Sequence, residues 1–202
     1  MKLFLQTSSG QPSLVLWENR VVFEANYGQM QRLDYGTELG KALESASRTL
    51  ADISEIIVDI GPGRLGSTRT AVAFANGLSY ARSLPIVPLN SFIMLGAYAE
   101  ATHGKPCLIL RSAARKQYHW GLVQGGKLAE VGFAPNGVIA PSYKGPLTVA
   151  GDAPPEHASV PEAEWLSLNA VPGAALEILN PLLIPASGAV VPLTDTAGLA
   201  HG

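Results

Sequence analysis

The residues of this chain that could carry chemistry are few, and the most regular of them are glycines. An apolar run, Ile56-Ile57-Val58, leads through Asp59-Ile60 into Gly61-Pro62-Gly63, and then to Gly66, Arg69 and an alanine-rich stretch. Glycine permits positive φ and close approach of another chain or ligand, and Pro62 stiffens the turn. As a bare pattern, Gly61-x-Gly63-x-x-Gly66 is a dinucleotide fingerprint, which would set a pyrophosphate against a helix N-terminus. Two features exclude that chemistry. The turn does not follow the first strand, and the next strand, Ile86 to Leu89, ends in Asn90 and not in a ribose-binding acid. Pro62 also removes a backbone donor that a phosphate would want. Gly61, Pro62, Gly63, Gly66 and Arg69 are therefore read as a structural turn between strand and helix.

Other chemistry is sparse. His103, His119, His157 and His201 lie far apart, with no pair at i, i+4 spacing, so no metal site is expected. His119, beside Trp120, reads as a surface or half-buried strand residue. Cys107 heads an apolar strand and reads as packing, and no Gly-x-Ser-x-Gly elbow occurs. Arg111, Arg115 and Lys116 form the one compact basic cluster, read as a solvated hairpin end in preference to a phosphate contact. No catalytic residue and no cofactor is assigned.

The elements that hold these residues follow a regular order. Short strands are expected at Leu3–Leu5, Leu14–Trp17 and Val21–Glu24, separated by polar turns. A helix is expected from near Gln31 to Leu50, with Leu39, Leu43, Ala46 and Leu50 at helical spacing. Strand Glu55–Ile60 leads into the glycine turn and a second helix, Ser67–Arg82, which Pro85 stops. Strand Ile86–Leu89 and a third helix, capped by Ser91 and running through Ala101, complete the set. A three-strand meander followed by alternating helices and strands is how an RNase H-like lobe begins. The second half starts the same way, with strands at Leu108–Leu110, Tyr118–Val123 and Lys127–Val131. This is a repeat of element order and not of residue identity. Residues 1–103 are read as one lobe and residues 104–202 as a second, reduced lobe. Ten of the fifteen prolines follow Val131, where they remove ladder donors and interrupt helices. A strand at Leu147–Ala150 and a short helix at Ala174–Leu183 are expected there, with a loop at Pro154–Pro161 and a frayed tail at Thr194–Gly202.

Composition bounds the function. The 202 residues are 47% hydrophobic and 15% charged, as in a well-buried globular protein. A formal charge of −2 gives no general attraction to nucleic acid. One cysteine fits a reducing compartment. The amino-terminal apolar run is too short for a signal h-region, and no apolar stretch reaches membrane length. A cytoplasmic protein without membrane contact is expected.

Gly61-Pro62-Gly63, Gly66 and Arg69, leading into Ala75-Asn76-Gly77-Leu78, resemble the "GPGSFTGxRxG…A.GLA" segment of the TsaB (YeaZ) family, glycoprotease-like proteins. The resemblance runs from Leu3 to about Val123, with Arg64-Leu65 where the family has Ser-Phe. It implies an α/β actin-like ATPase fold of duplicated RNase H-like lobes, and a non-catalytic partner of TsaD in making threonylcarbamoyladenosine on tRNA. The family's usual acid in the first turn is replaced by Gln6. At the matching turn of the second lobe, Ser112, Ala114 and Gln117 stand where the family reads Asp-Ala-Arg…Glu. Both lobes therefore lack the carboxylates that would place magnesium. The metal-bearing histidine pair of TsaD relatives has no counterpart.

The leading expectation is an interaction subunit that docks on a TsaD-like protein and meets tRNA only through that complex. An orphan TsaB-like dimer with another role is the alternative, and an actin-like ATPase or sugar kinase a further one. Gly36, Leu39, Gly40 and Leu43 on the first helix, with Ala71, Phe74, Ala75 and Leu78 on the second, are expected to form the partner surface. The second helix is apolar on most sides, so one side can face the sheet and another a TsaD-like subunit or a second copy.

Overall fold

The computed structural model describes residues 1–28, 32–113, 117–134, 139, 141–152, 160 and 163–194. The expected loop at 154–161, except Val160, and nearly all of the expected tail lie outside them. So do Arg115, Lys116, His157 and His201.

Two five-stranded sheets repeat one plan. In the first, β1 (Lys2–Gln6), β2 (Ser13–Trp17) and β3 (Val21–Asn26) form an antiparallel meander. Strand β4 (Glu55–Gly61) pairs parallel to β1, and β5 (Ile86–Asn90) parallel to β4. The second sheet is built from β6 (Cys107–Ser112), β7 (Tyr118–Gln124), β8 (Lys127–Ala134), β9 (Thr148–Gly151) and β10 (Glu164–Trp165). The orders β3-β2-β1-β4-β5 and β8-β7-β6-β9-β10 coincide strand for strand. This is the duplicated, actin-like arrangement expected from the element order. The short strand β10 had no signal in the sequence: its two residues pair only with β9.

Helix boundaries follow their caps. The first helix, α1, spans Tyr35–Ser45, shorter than the periodicity suggested. The Asp34 carboxylate accepts from the Gly36 and Thr37 amides and sets the start. Ser47 turns left-handed beyond the end, and Leu50 falls in a separate 3-10 turn, Leu50–Asp52. The second helix, α2, spans Leu65–Arg82 and ends on a left-handed Ser83. The third, α3, spans Ser91–His103, and its cap is Asn90, whose Oδ1 accepts from the Phe92 amide at 2.8 Å. Ser91 does not cap the helix. Its Oγ donates to the Pro62 carbonyl at 2.7 Å and ties α3 to the glycine turn. The expected helix at 174–183 is one α-turn, α4 (Leu176–Leu179), between 3-10 turns at Gly173–Ala175 and Asn180–Leu182. Pro181 supplies no N–H to continue it.

Side-chain alternation sorts the core into layers. On the first sheet, Leu3, Leu5, Ile56 and Val58 point outward to α1 and α2. Phe4, Val15, Ile57 and Val87 point inward, to meet Ile109, Cys107 and Ala150 of the second sheet around α3 and α4. The chain beyond Asn169 returns to the first sheet. Val171 hydrogen-bonds Gln6, Ala186 donates to the Ile86 carbonyl, and Leu193 donates to the Ile60 carbonyl. In space, then, the first sheet's surroundings include residues from both ends of the sequence.

Candidate functional site

The inward parity of β1, β4, β6 and β9 carries past their last apolar residue to a polar one. Gln6 follows Phe4, Asp59 follows Ile57, Arg111 follows Ile109, and Asp152 follows Ala150. Gln6, Asp59 and Arg111 are fully buried or nearly so. The four strands thus deliver four polar side chains to one end of the space between the sheets, where an actin-like fold would hold a magnesium nucleotide.

Each residue's hydrogen bonds decide what that end can hold. Gln6 Nε2 donates to the Val171 carbonyl at 2.7 Å and to Ser13 Oγ at 3.0 Å, and its Oε1 accepts from the Val171 amide at 2.9 Å. Both ends of the amide are committed to the protein's own backbone. Asp59 is a carboxylate at the right end of β4, but its oxygens are also committed. Oδ2 accepts from the amides of Thr7 at 3.1 Å and Ser8 at 2.8 Å, and Oδ1 from Gly61 at 2.9 Å. It pins the turn after β1 to the glycine turn. An isolated acid inside an apolar strand gave no sequence signal for this role. Ser112 donates its Oγ to the Asp152 carbonyl, and its amide donates to Asp152 Oδ1. These residues do not fit a magnesium nucleotide. Among the described residues, no group of three or more His, Cys, Asp or Glu could hold a metal ion.

Arg111 corrects the sequence reading. It is not a solvated hairpin end but a completely buried guanidinium. Burial pushes its pKa down, against the opposing pull of Asp152 and Asp59. Nη1 donates to the Asn169 carbonyl at 2.8 Å and lies 3.8 Å from Asp152 Oδ1. Asn169 in turn donates to Gln11 Oε1 at 3.0 Å, bridging the two sheets. His119 is also more buried than expected, its ring tilted by 41° against Phe133 with centroids 4.9 Å apart. Burial raises the Cys107 thiol to about 12, which matches a packing role.

The glycine turn is narrower than its motif. Gly61 has φ +89° and Gly63 φ +156°, and a Cβ on Gly63 would lie 2.3 Å from the Ser8 carbonyl oxygen. That contact is why the turn after β1 and the turn after β4 can close on each other. Gly66 and Arg69 belong to α2, are exposed, and a Cβ on Gly66 would meet nothing.

The two outer helices divide the expected interface residues. Leu39, Leu43, Ala71 and Ala75 are buried in the chain's own core against the first sheet. Phe74 and Leu78 are half-buried, with Phe74 stacked on Tyr35 at 5.5 Å. Only Gly36 and Gly40 of the expected set are exposed; a Cβ on Gly40 would meet nothing, and one on Gly36 would stand 3.4 Å from the capping Asp34 Oδ1. On α2 the outward positions are Ala73, Gly77, Tyr80 and Ala81, and Tyr80 is 91% exposed. Among the described residues, no helix is long and apolar enough to cross a membrane.

Comparisons with known proteins agree with this geometry. Residues 36–142, just over half of the chain, match the family model described as TsaD: tRNA N6-adenosine threonylcarbamoyltransferase. A tRNA N6-adenosine threonylcarbamoyltransferase from Fusobacterium nucleatum is 38% identical over 76 residues, 37% of this chain and 22% of that protein. An uncharacterised protein from Mycobacterium tuberculosis is 31% identical over 119 residues, 59% of this chain and 53% of its own length. The chain thus matches about a fifth and about half of these relatives. Two solved structures share the fold: an uncharacterised Pseudomonas aeruginosa protein with similarity to peptidase YeaZ, at TM-score 0.72 and 19% identity, and YeaZ from Pseudomonas aeruginosa, at 0.68 and 18%. Each covers 95% of this chain, which covers 97% and 98% of theirs.

Proposed function

We propose that this chain, which belongs to the tRNA N6-adenosine threonylcarbamoyltransferase (TsaD) family, acts as a TsaB-like subunit without catalysis of its own, docking on a TsaD-like partner in the cytoplasm. The observation that carries this reading is Gln6. At the position where a catalytic lobe would present an acid, both ends of its amide bind Val171, so nothing is left to position a metal or activate a nucleophile. A family member without that chemistry acts by contact. Ala73, Gly77 and Tyr80 are exposed on α2, and Gly36 and Gly40 are exposed on α1, which packs against α2, so the two helices offer small residues and one exposed aromatic. Small residues let a neighbouring helix approach closely, and an exposed tyrosine is a suitable anchor. The tRNA would then be reached through the partner.

The test is co-purification of tagged chain with the TsaD-like subunit of the same organism, for wild type and Gly77→Arg. The substitution removes a helix-interior glycine, which favours α2 by about 0.5–1 kcal/mol, so lost binding cannot be assigned to lost folding. Wild-type binding abolished by Gly77→Arg is the expected result. Wild type that ignores the TsaD-like subunit yet self-associates through the same face would favour the orphan dimer. Binding that survives Gly77→Arg would place the interface elsewhere.

A further inference from the structure

Arg111 is a buried cation whose hydrogen bonding is less than half complete. Of its three nitrogens, only Nη1 has a hydrogen-bond partner, while Nε and Nη2 have none. Its nearest acid does not close the gap, because Asp152 Oδ1 stands at 3.8 Å from Nη1 and already accepts from the Ser112 amide. Asp152 Oδ2 is itself buried and unpartnered, as are Thr7 Oγ1 and Ser8 Oγ in the turn after β1. An unmatched buried guanidinium is costly, and so is a carboxylate oxygen buried without a donor. One small ligand could satisfy both, provided that it accepts from Arg111 and donates to Asp152.

We propose that the inter-sheet end of β6 and β9 binds a protonated tetrahedral oxyanion without metal, held by Arg111 Nε and Nη2 and selected by Asp152 Oδ2. A guanidinium edge presents two parallel N–H groups that match two oxygens of such an anion. Phosphate at neutral pH carries at least one proton to donate to Asp152, whereas sulfate carries none and would face the carboxylate with a lone pair. The site therefore takes phosphate over sulfate. The phosphate can be free or the terminal group of a nucleotide. The proposal does not rest on the docking face of α2, so it is measured on the chain alone.

The experiment is calorimetric titration with melting curves, in buffer containing a chelator, using inorganic phosphate, sulfate and ATP as probes. Phosphate is expected to bind at one site and raise the melting temperature, with sulfate weaker by about tenfold or more. Arg111→Met should abolish the response, Arg111→Lys should keep part of it, and Asp152→Asn should bring sulfate level with phosphate. ATP that competes with phosphate and needs Arg111 would place a nucleotide's phosphoryl group here. A phosphate response without ATP competition would assign the site to the free ion. No response of wild type to millimolar phosphate, or a response unchanged in Arg111→Met, overturns the site. Equal binding of sulfate and phosphate by wild type overturns the role of Asp152. If Arg111→Met does not fold, the phosphate-to-sulfate ratio of wild type and of Asp152→Asn still decides.

Discussion

Gln6 spends its whole amide on holding the chain together. Its amide both donates to and accepts from Val171, as a neighbouring strand would. Purified chain with ATP and magnesium should release phosphate at the buffer rate, and Gln6→Asp should stay inactive. That substitution should also lower stability by roughly 1–3 kcal/mol in urea unfolding, because the Val171 carbonyl loses its donor and meets a carboxylate. Phosphate release that scales with wild-type protein would refute the first expectation. At Gly63 the added Cβ of Gly63→Val would strike the Ser8 carbonyl, a backbone atom that cannot step aside. A loss of at least about 2 kcal/mol is expected in the same unfolding assay. Cys107, fully buried with its thiol raised to about 12, should react with a disulfide reagent only as fast as the protein unfolds. Of these residues, the glycine turn was legible because few other residues tolerate positive φ and such close approach. Asp59 and Arg111 were not legible. Their roles depend on which strand ends meet across the two sheets, and neither composition nor local spacing carries that information.

Among the elements, α2 separates what periodicity can show from what it cannot. Its alanines made it read as apolar on most sides, and the helix exists with nearly the expected ends. Which alanine faces which neighbour depends on the rotation of the helix on the sheet. Ala71 and Ala75 face the sheet, while Ala73 and Gly77 face outward. Ala75→Arg is thus a core substitution. It should cost more than about 3 kcal/mol, or prevent folding, because a guanidinium would be buried among Ile56, Val58 and Val72 without a partner. Circular dichroism melting of Ala75→Arg against Gly77→Arg checks the assignment. A folded Ala75→Arg beside an unfolded Gly77→Arg would reverse the two faces. Helix ends were read less well than helix existence, because caps are set by single side chains. Asp34 and Asn90 each compete with a neighbouring residue that could have started the helix.

At the scale of the whole molecule, the duplication is read from element order but the closure is not. The two sheets repeat strand for strand, yet the chain beyond Asn169 does not stay with the second. It crosses back, with Val171 on Gln6, the Gly173 amide on Glu24, Ala186 on β5 and Val190 on α2. The proline-rich composition of this region suggested a reduced lobe, because proline marks what a segment cannot form and not what it covers. At its centre, Asn76 imitates a peptide group: Nδ2 donates to the Val190 carbonyl at 2.8 Å and Oδ1 accepts from the Val190 amide at 2.9 Å. Val190 is thereby held in the core of the first sheet. We propose that residues 1–103 need this returning segment to fold, so that the unit around the first sheet is discontinuous in sequence. Asn76→Ala leaves both backbone groups of Val190 without their partner and should cost roughly 1–3 kcal/mol. Asn76→Asp should cost at least as much, since it keeps the size and loses the donor. In both variants, limited proteolysis should cut first between Ile184 and Leu193. Truncation after Leu168 should abolish the cooperative unfolding transition. A truncated chain that still melts cooperatively near the wild-type temperature would show that the returning segment only rests on the first lobe.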